Sequence, residues 1–109
     1  MEKKKVMVVF GGSYNPPLNS HFSLAEQIVN EYDDVENVIF VPVNSKYNKK
    51  GLLDNKTRYE MLKLVIDKNT RFLLSDIELK SDKPLVTIET VEKLQETYYD
   101  HDLWFTIRK

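Results

Sequence analysis

The sequence predicts an α/β fold in which a parallel sheet of about four strands is flanked by helices. Four short apolar runs alternate with three helical patterns, in the order β-α-β-α-β-α-β. A short, continuously apolar run is typical of a strand buried on both faces. Strict alternation with crossover helices predicts parallel strands and right-handed connections. A chain of 109 residues is one domain's worth of polypeptide, so residues 1–109 are interpreted as a single domain.

The four predicted strands are rich in Val, Ile, Leu and Phe. They cover residues 6–10, 38–43, 72–77 and 103–107. Trp104 lies inside the fourth run, and a large aromatic side chain in an apolar strand is expected in the core.

Three helices are predicted from apolar residues that recur at helical spacing. Asn19 or Ser20 is the expected N-cap of the first helix, Asp54 or Asn55 starts the second, and the third follows Pro84. The predicted buried stripes are Ala25, Ile28, Val29 and Tyr32 in the first helix, Met61, Leu62, Val65 and Ile66 in the second, and Ile88, Val91, Leu94 and Tyr98 in the third.

Composition excludes several classes of function. The chain has 16 Lys and Arg against 17 Asp and Glu, so a nucleic-acid or anionic-membrane partner has no electrostatic support. It contains no cysteine, and its two histidines, His21 and His101, are too far apart in sequence for a His-rich metal site. The apolar runs are too short for a membrane helix or a signal peptide. We therefore expect a cytoplasmic or otherwise intracellular domain, with no metal site made by the protein alone.

The lengths of the connections predict where a ligand binds. Loops that lead from a predicted strand to a helix are longer than those that lead back, and they hold most of the glycine and proline. In a parallel sheet these longer loops meet at the carboxyl edge of the strands, where such folds bind ligands. They cover residues 11–17, 44–54 and 78–85.

Gly11 and Gly12 directly follow the first predicted strand. Glycine lets the main chain turn sharply and approach a ligand closely. The next helix directs its N-terminal amides to the same place, which favours a phosphate there. His21 falls in the first turn of that helix, so its imidazole can reach the anion. The alternative to a phosphate site is a tight turn with a capping histidine. The segment matches neither a P-loop nor a dinucleotide-binding fingerprint.

The run GGSYNPPxxxH at residues 11–21 resembles the nucleotidylyltransferase signature of nicotinamide and nicotinate mononucleotide adenylyltransferases. Three further segments are similar to elements of the same family and follow in the same order. They are KYNKKGL at residues 46–52, RYEML at residues 58–62 and TIETV at residues 87–91.

This resemblance implies a Rossmann-like nucleotidylyltransferase fold and a role in NAD biosynthesis. The phosphate of nicotinate or nicotinamide mononucleotide attacks ATP, takes its AMP group and releases pyrophosphate, with Mg²⁺ held by the substrate phosphates. The partners implied are ATP and a pyridine mononucleotide. The implied site comprises His21 as the catalytic residue; Gly11, Gly12, Ser13, Tyr14, Lys49, Lys50 and Arg58 at the nucleotide phosphates; and Ile77, Glu78 and Thr87 at the mononucleotide ring.

The sequence also departs from the family pattern. Leu18 replaces the first histidine or threonine of the signature, and Ile77 and Glu78 fall where a tryptophan–glutamate pair stacks on the ring. The resemblance covers the family's N-terminal part, so the fold is expected to be C-terminally truncated.

Two other functions stay open: a non-catalytic nucleotide-binding remnant, and a related enzyme such as a pantetheine-phosphate adenylyltransferase or a cytidylyltransferase. The KKGL and RxxML elements speak against the related enzyme. The choice between nicotinate and nicotinamide also stays open. Arg58 could instead form a salt bridge to a neighbouring carboxylate. No functional role is assigned to His101. If the fourth strand is an edge, we expect two copies to pair through it as a homo-oligomer.

Overall fold

The computed structural model describes residues 5–12, 14, 19–44, 54–80 and 87–107, and the side chains of residues 19, 87, 88 and 105–107 lie outside that description. Over the described residues the order of elements is the predicted one, so the α/β fold class is confirmed. None of the described helices has the length and apolar character needed to cross a membrane. The elements are β1 (Lys5–Gly12), α1 (Asn19–Glu31), β2 (Val35–Pro42), α2 (Asn55–Ile66), β3 (Phe72–Leu74), α3 (Thr87–Thr97) and β4 (His101–Ile107).

All pairs of adjacent strands are parallel, and the order across the described sheet is β3-β2-β1-β4. Strand β1 is therefore internal, with Val8 paired to Val38 of β2 on one side and to Trp104 of β4 on the other. The chain steps outward from β1 to β3 and then crosses back to place β4 beside β1. This reversal puts the topological switch point of the sheet at β1, and ligands bind outside the carboxyl ends of the strands at such a point.

Alternate residues of β1 point to opposite faces of the sheet, so each face carries its own apolar cluster. Helices α1 and α2 cover one face, where Ala25, Val29 and Leu62 pack on Val8 and Phe40. Helix α3 covers the other face. There Leu94 packs with Met7, Val9, Ile39 and Val41.

Helix α2 begins as predicted but buries a different face. The Oδ1 atom of Asp54 accepts the Thr57 N–H at 2.7 Å, and this backbone hydrogen bond lowers the pKa of Asp54. The buried side chains are Arg58, Leu62 and Ile66, each four residues apart and so on one face. The predicted stripe through Met61 and Val65 is wrong, because both lie about 100° around the helix from that face and are 36% exposed.

Three further predictions about buried residues are corrected. Strand β3 ends at Leu74, so Ile77 lies in a turn instead of the strand. Tyr32 lies beyond the end of α1 and is 52% exposed. Trp104 is 48% exposed and meets the Tyr32 ring edge-on at 6.4 Å, because β4 is an edge of the described sheet.

Candidate functional site

The ends of β1 and β2 meet at the carboxyl edge of the sheet, as the loop lengths predicted. The Val43 N–H donates to the Gly12 carbonyl at 3.0 Å, which extends the pairing of the two strands by one bond. Helix α1 starts from the same edge, shortly after β1. The residues around Gly12 thus lie at the switch point of the sheet.

Tyr14 carries the unusual backbone conformation of the turn after β1. It has a φ angle of 46°, a left-handed conformation that few residues other than glycine adopt. Its side chain is buried, and its hydroxyl donates to the Phe10 carbonyl. Burial raises the pKa of Tyr14 well above its usual range, so the phenol stays protonated. The Tyr14 side chain thus folds back onto the end of β1.

Gly12 lies against this tyrosine. A Cβ atom built on Gly12 would stand 3.6 Å from the Tyr14 ring, an ordinary van der Waals distance. The protein therefore leaves room for a methyl group at Gly12, and the described residues give no steric reason for a glycine there. The explanation suggested by the sequence, that a ligand approaches the Gly12 main chain closely, stays a prediction.

His21 extends the same group of residues. Its ring centroid lies 5.1 Å from that of Tyr14, with the planes at 76°, and 6.4 Å from that of Phe10, with the planes at 89°. Two edge-on aromatic contacts hold the half-buried imidazole beside the turn. The structure thus brings together Gly12, Tyr14 and His21, which are three of the predicted site residues.

A second group of polar side chains lies where β2 leads towards α2. The Nη2 atom of Arg58 donates to Oδ1 of Asn55 at 2.8 Å, and Nδ2 of Asn55 donates to Oδ1 of Asn44 at 3.0 Å. Asn44 in turn donates to the carbonyls of Glu78 and Leu79, at 3.2 and 3.3 Å. We call Arg58, Asn55 and Asn44 the amide chain.

Arg58 is completely buried. Burial lowers its pKa, and the nearby charge of Asp54 partly offsets that shift. The side chain is directed into the protein, where it bonds to Asn55. Its predicted contact with a nucleotide phosphate stays a prediction.

Glu78 connects the amide chain to α3. Its Oε2 atom accepts a hydrogen bond of 3.1 Å from the Thr90 hydroxyl, and Thr90 is buried on α3. Partial burial raises the pKa of Glu78, and the hydrogen bond from Thr90 opposes that shift. Ile77, the neighbouring residue predicted to lie at the ring, packs against the apolar cluster under α3.

Several predicted site residues lie outside the described residues: Ser13, Lys49, Lys50 and the side chain of Thr87. Sequence reasoning missed Asn44 as a site residue, although it directly follows the second predicted strand on a carboxyl-edge loop. It considered Asn55 only as the start of a helix. Among the side chains that the structure describes, no group of three His, Cys, Asp or Glu residues could hold a metal ion.

Comparison with known proteins gives relatives that carry the same name. A Shouchella clausii protein named "Probable nicotinate-nucleotide adenylyltransferase" is 36% identical over 101 residues, which are 91% of this chain and 52% of the relative. A Clostridium acetobutylicum protein of the same name is 36% identical over 107 residues, 96% of this chain and 52% of the relative. The chain thus spans about half the length of these relatives.

Solved structures agree on the fold. A Vibrio parahaemolyticus protein assigned as a nicotinate-nucleotide adenylyltransferase has a TM-score of 0.73 and 25% identity, over 93% of this chain and 56% of that one. The Plasmodium falciparum nicotinic acid mononucleotide adenylyltransferase, solved with NaAD, has a TM-score of 0.71 and 19% identity, over 93% of this chain and 50% of that one. The fold is therefore the Rossmann-like nucleotidylyltransferase fold.

The family model described as cytidylyltransferase-like matches residues 9–107, which include the second half of β1 with Gly11 and Gly12, the amide chain and β4. Because this match covers most of the chain, the chain belongs to the cytidylyltransferase-like family.

Proposed function

We propose that this chain binds ATP and nicotinate mononucleotide and transfers the adenylyl group from one to the other. A phosphate oxygen of the mononucleotide bonds to the α-phosphorus of ATP, and the bond from that phosphorus to pyrophosphate breaks. The observation that carries the proposal is the group formed by Gly12, Tyr14 and His21 at the switch point of the sheet. The names of the relatives favour nicotinate over nicotinamide as the ring.

Adenylyl transfer requires mainly positioning and stabilisation of charge. His21 is suited to donate a hydrogen bond as charge builds on the ATP phosphates, because two aromatic rings already fix its imidazole. The main chain of Gly11 and Gly12 is expected to approach the phosphates, with the Tyr14 ring beside Gly12. Ser13, Lys49 and Lys50 are the further phosphate-binding residues expected from the sequence, and they lie outside the described residues. Phosphate oxygens and water would hold a Mg²⁺ ion bound with ATP, and the ion would neutralise part of the phosphate charge.

The mononucleotide ring is placed beside Ile77 and Glu78, with Thr87 at the start of α3. The first amides of α3 suit the negative charge of a nicotinate carboxylate. Both substrates are phosphorylated metabolites of the cell interior, which fits the location expected from the sequence. The same proposal expects that the chain does not bind a phosphopantetheine substrate.

A calorimetric titration with ATP–Mg²⁺, nicotinate mononucleotide and nicotinamide mononucleotide tests the proposal directly. We expect saturable binding of ATP–Mg²⁺ and of nicotinate mononucleotide, and pyrophosphate release when both are present. Binding of both without pyrophosphate release identifies the chain as a nucleotide-binding remnant. Binding of neither overturns the proposal.

The variant Gly12→Ala tests the position of the nucleotide. Because the protein leaves 3.6 Å between a Cβ at Gly12 and the Tyr14 ring, the variant should keep the unfolding midpoint of the parent. ATP affinity should fall about tenfold if a phosphate approaches the Gly12 main chain. Unchanged ATP affinity in a folded Gly12→Ala protein places the nucleotide elsewhere.

We also propose that two copies of the chain pair through β4. This strand is an edge of the described sheet, and Trp104 on it is 48% exposed. An uncovered edge strand invites pairing with another chain. Sedimentation at several concentrations measures the association, and a stable monomer well into the micromolar range contradicts it.

A further inference from the structure

The segment after β3 is a turn whose main-chain carbonyls accept hydrogen bonds from a side chain of another loop. Residues 77–80 form the turn, and the Lys80 N–H donates to the Asp76 carbonyl at 3.0 Å. The carbonyls of Glu78 and Leu79 accept hydrogen bonds from the single amide group of Asn44. We call residues 76–80 the Glu78 turn. Its position therefore depends on a side chain that belongs to the loop after β2.

The amide chain has a fixed direction. A guanidinium can only donate hydrogen bonds, so Asn55 must present its oxygen to Arg58 and its NH₂ group to Asn44. Main-chain carbonyls can only accept, so Asn44 must present its NH₂ group to the Glu78 turn. The guanidinium at one end of the amide chain and the carbonyls at the other end thus require the same orientation of the Asn55 and Asn44 amides. A flip of either side-chain amide would break these hydrogen bonds.

Burial makes these hydrogen bonds costly to lose. Arg58 is fully buried and Asn44 is 5% exposed, so water cannot readily replace a lost partner. Glu78 is held a second time, because its carboxylate accepts from Thr90 on α3. Its main chain is thus fixed from the loop after β2, and its side chain is fixed from α3.

Asn44 also lies directly after the residue that bonds to the glycine turn. The Val43 N–H donates to the Gly12 carbonyl, and the next side chain donates to the Glu78 turn. Two neighbouring residues therefore connect the two parts of the proposed site. One part is the phosphate side at Gly12 and the other is the ring side at Glu78.

We propose that Asn44 is a positioning residue that sets the Glu78 turn relative to Gly12, with Asn55 and Arg58 fixing its orientation. The inference rests on the proposed function for the statement that a mononucleotide ring lies at this turn. Transfer between two bound substrates depends strongly on their mutual placement, so a shifted turn is expected to weaken mononucleotide binding and leave ATP binding in place.

The test uses three variants of the full chain: Asn44→Ala, Asn44→Asp and the control Asn37→Ala. Asn37 makes a comparable contact at the other end of β2, donating to the Thr70 carbonyl at 3.4 Å. Asn44→Asp keeps the size of the side chain and its acceptor for Asn55, but it cannot donate to the two carbonyls. Both Asn44 variants therefore remove the two hydrogen bonds to the Glu78 turn, and only Asn44→Ala also removes the acceptor for Asn55 and changes the volume.

Hydrogen exchange without ligand is the first measurement. We expect exchange of the Lys80 amide to rise about tenfold in both Asn44 variants and to stay at the parent rate in Asn37→Ala. Calorimetry is the second measurement. Affinity for nicotinate mononucleotide should fall about tenfold in both Asn44 variants, while affinity for ATP–Mg²⁺ stays within about twofold.

Unchanged exchange in Asn44→Ala, or parent-like exchange and affinity in Asn44→Asp, overturns the inference. Faster exchange with unchanged mononucleotide affinity also overturns it, since the turn then does not position the ring. If the parent chain binds no mononucleotide, the proposed function fails and the positioning role fails with it. Faster exchange in that case still shows that Asn44 holds the turn, so the two failures are distinguishable.

Discussion

The two edges of the sheet use the same three residue types in different ways. The carboxyl edge has His21, Arg58 and Asn44, and the amino edge has His101, Arg71 and Asn37. At the amino edge, Asn37 and Arg71 donate to main-chain carbonyls at the strand starts, and His101 bonds to Glu36 and Asp100.

Connection and burial separate the two edges. Arg58 and Asn44 are buried. Asn55 joins them by hydrogen bonds, and Asn44 bonds to the Glu78 turn in the loop after β3. Arg71 is exposed, and the carboxylates beside His101 are 45% and 68% exposed. Residue type alone therefore does not identify a site; the buried, connected edge is the one that can hold a ligand in a defined position.

The largest expected contrast is between the two arginines. Arg58→Ala should lower the free energy of unfolding by about 4 kcal/mol, because it leaves a cavity under α2 and leaves the Asn55 oxygen without that donor. Arg71→Ala should cost about 1 kcal/mol, as expected for hydrogen bonds at an exposed position. Urea denaturation measures both, and equal losses would contradict the comparison.

The two histidines should differ in catalysis. His21→Ala is expected to lose about 3 kcal/mol of transition-state stabilisation, roughly a hundredfold in rate, because it removes a preorganised donor. His101→Ala, at the other edge, should leave the rate unchanged. Pyrophosphate release measures both variants, and an active His21→Ala protein with the parent rate removes His21 from the mechanism.

An aromatic residue in the turn after β3 tests the same difference between the two edges. Ile77→Trp restores a platform for the ring and is expected to tighten mononucleotide binding by about 1 kcal/mol. Thr70→Trp places the same side chain at the amino end of β3 and should leave the affinity as it is. Calorimetry compares the two, and no gain in Ile77→Trp means that the ring lies elsewhere.

The smallest effect concerns His101 and its response to pH. Burial lowers its pKa, but hydrogen bonds to Glu36 and Asp100 outweigh this and raise the pKa above 6.5. A raised folded-state pKa contributes stability below the unfolded value, and that stability is lost as pH rises through the folded value. His101→Gln should therefore cost less than about 1 kcal/mol near pH 5.5 and almost nothing near pH 8.5. A loss that is equal at both pH values contradicts this assignment.

Much of the fold could be predicted because buried strands and amphipathic helices have simple periods. The order of elements and the parallel sheet followed from the apolar runs and their alternation with helical patterns, while the ligand site at the carboxyl edge stays a prediction. The errors at Met61, Val65 and Trp104 arose because hydrophobicity cannot show which side of a helix or strand lacks a covering element. Arg58 shows the converse, since a charged residue occupies the buried face of α2.

The candidate site divides in the same way. Gly12, Tyr14 and His21 could be placed together because they are close in sequence and follow a strand. The amide chain could not, because Asn44 meets Glu78 only after β3 has been added to the sheet. Contacts between different loops depend on strand order, which the alternation of elements alone leaves open.

The strand order also has a consequence for folding during synthesis. Strand β1 pairs on one side with β2, which follows it closely, and on the other with β4, whose partners run from His101 to Ile107. Helices α1 and α2 can cover their face of the sheet as soon as β3 has emerged. The other face, with Met7 and Val9, stays uncovered until α3 has been synthesised. Since translation adds about 5–20 residues per second, a nascent chain exposes that apolar surface for seconds. Pairing of β1 with β4 comes later still, because β4 follows α3 in the sequence.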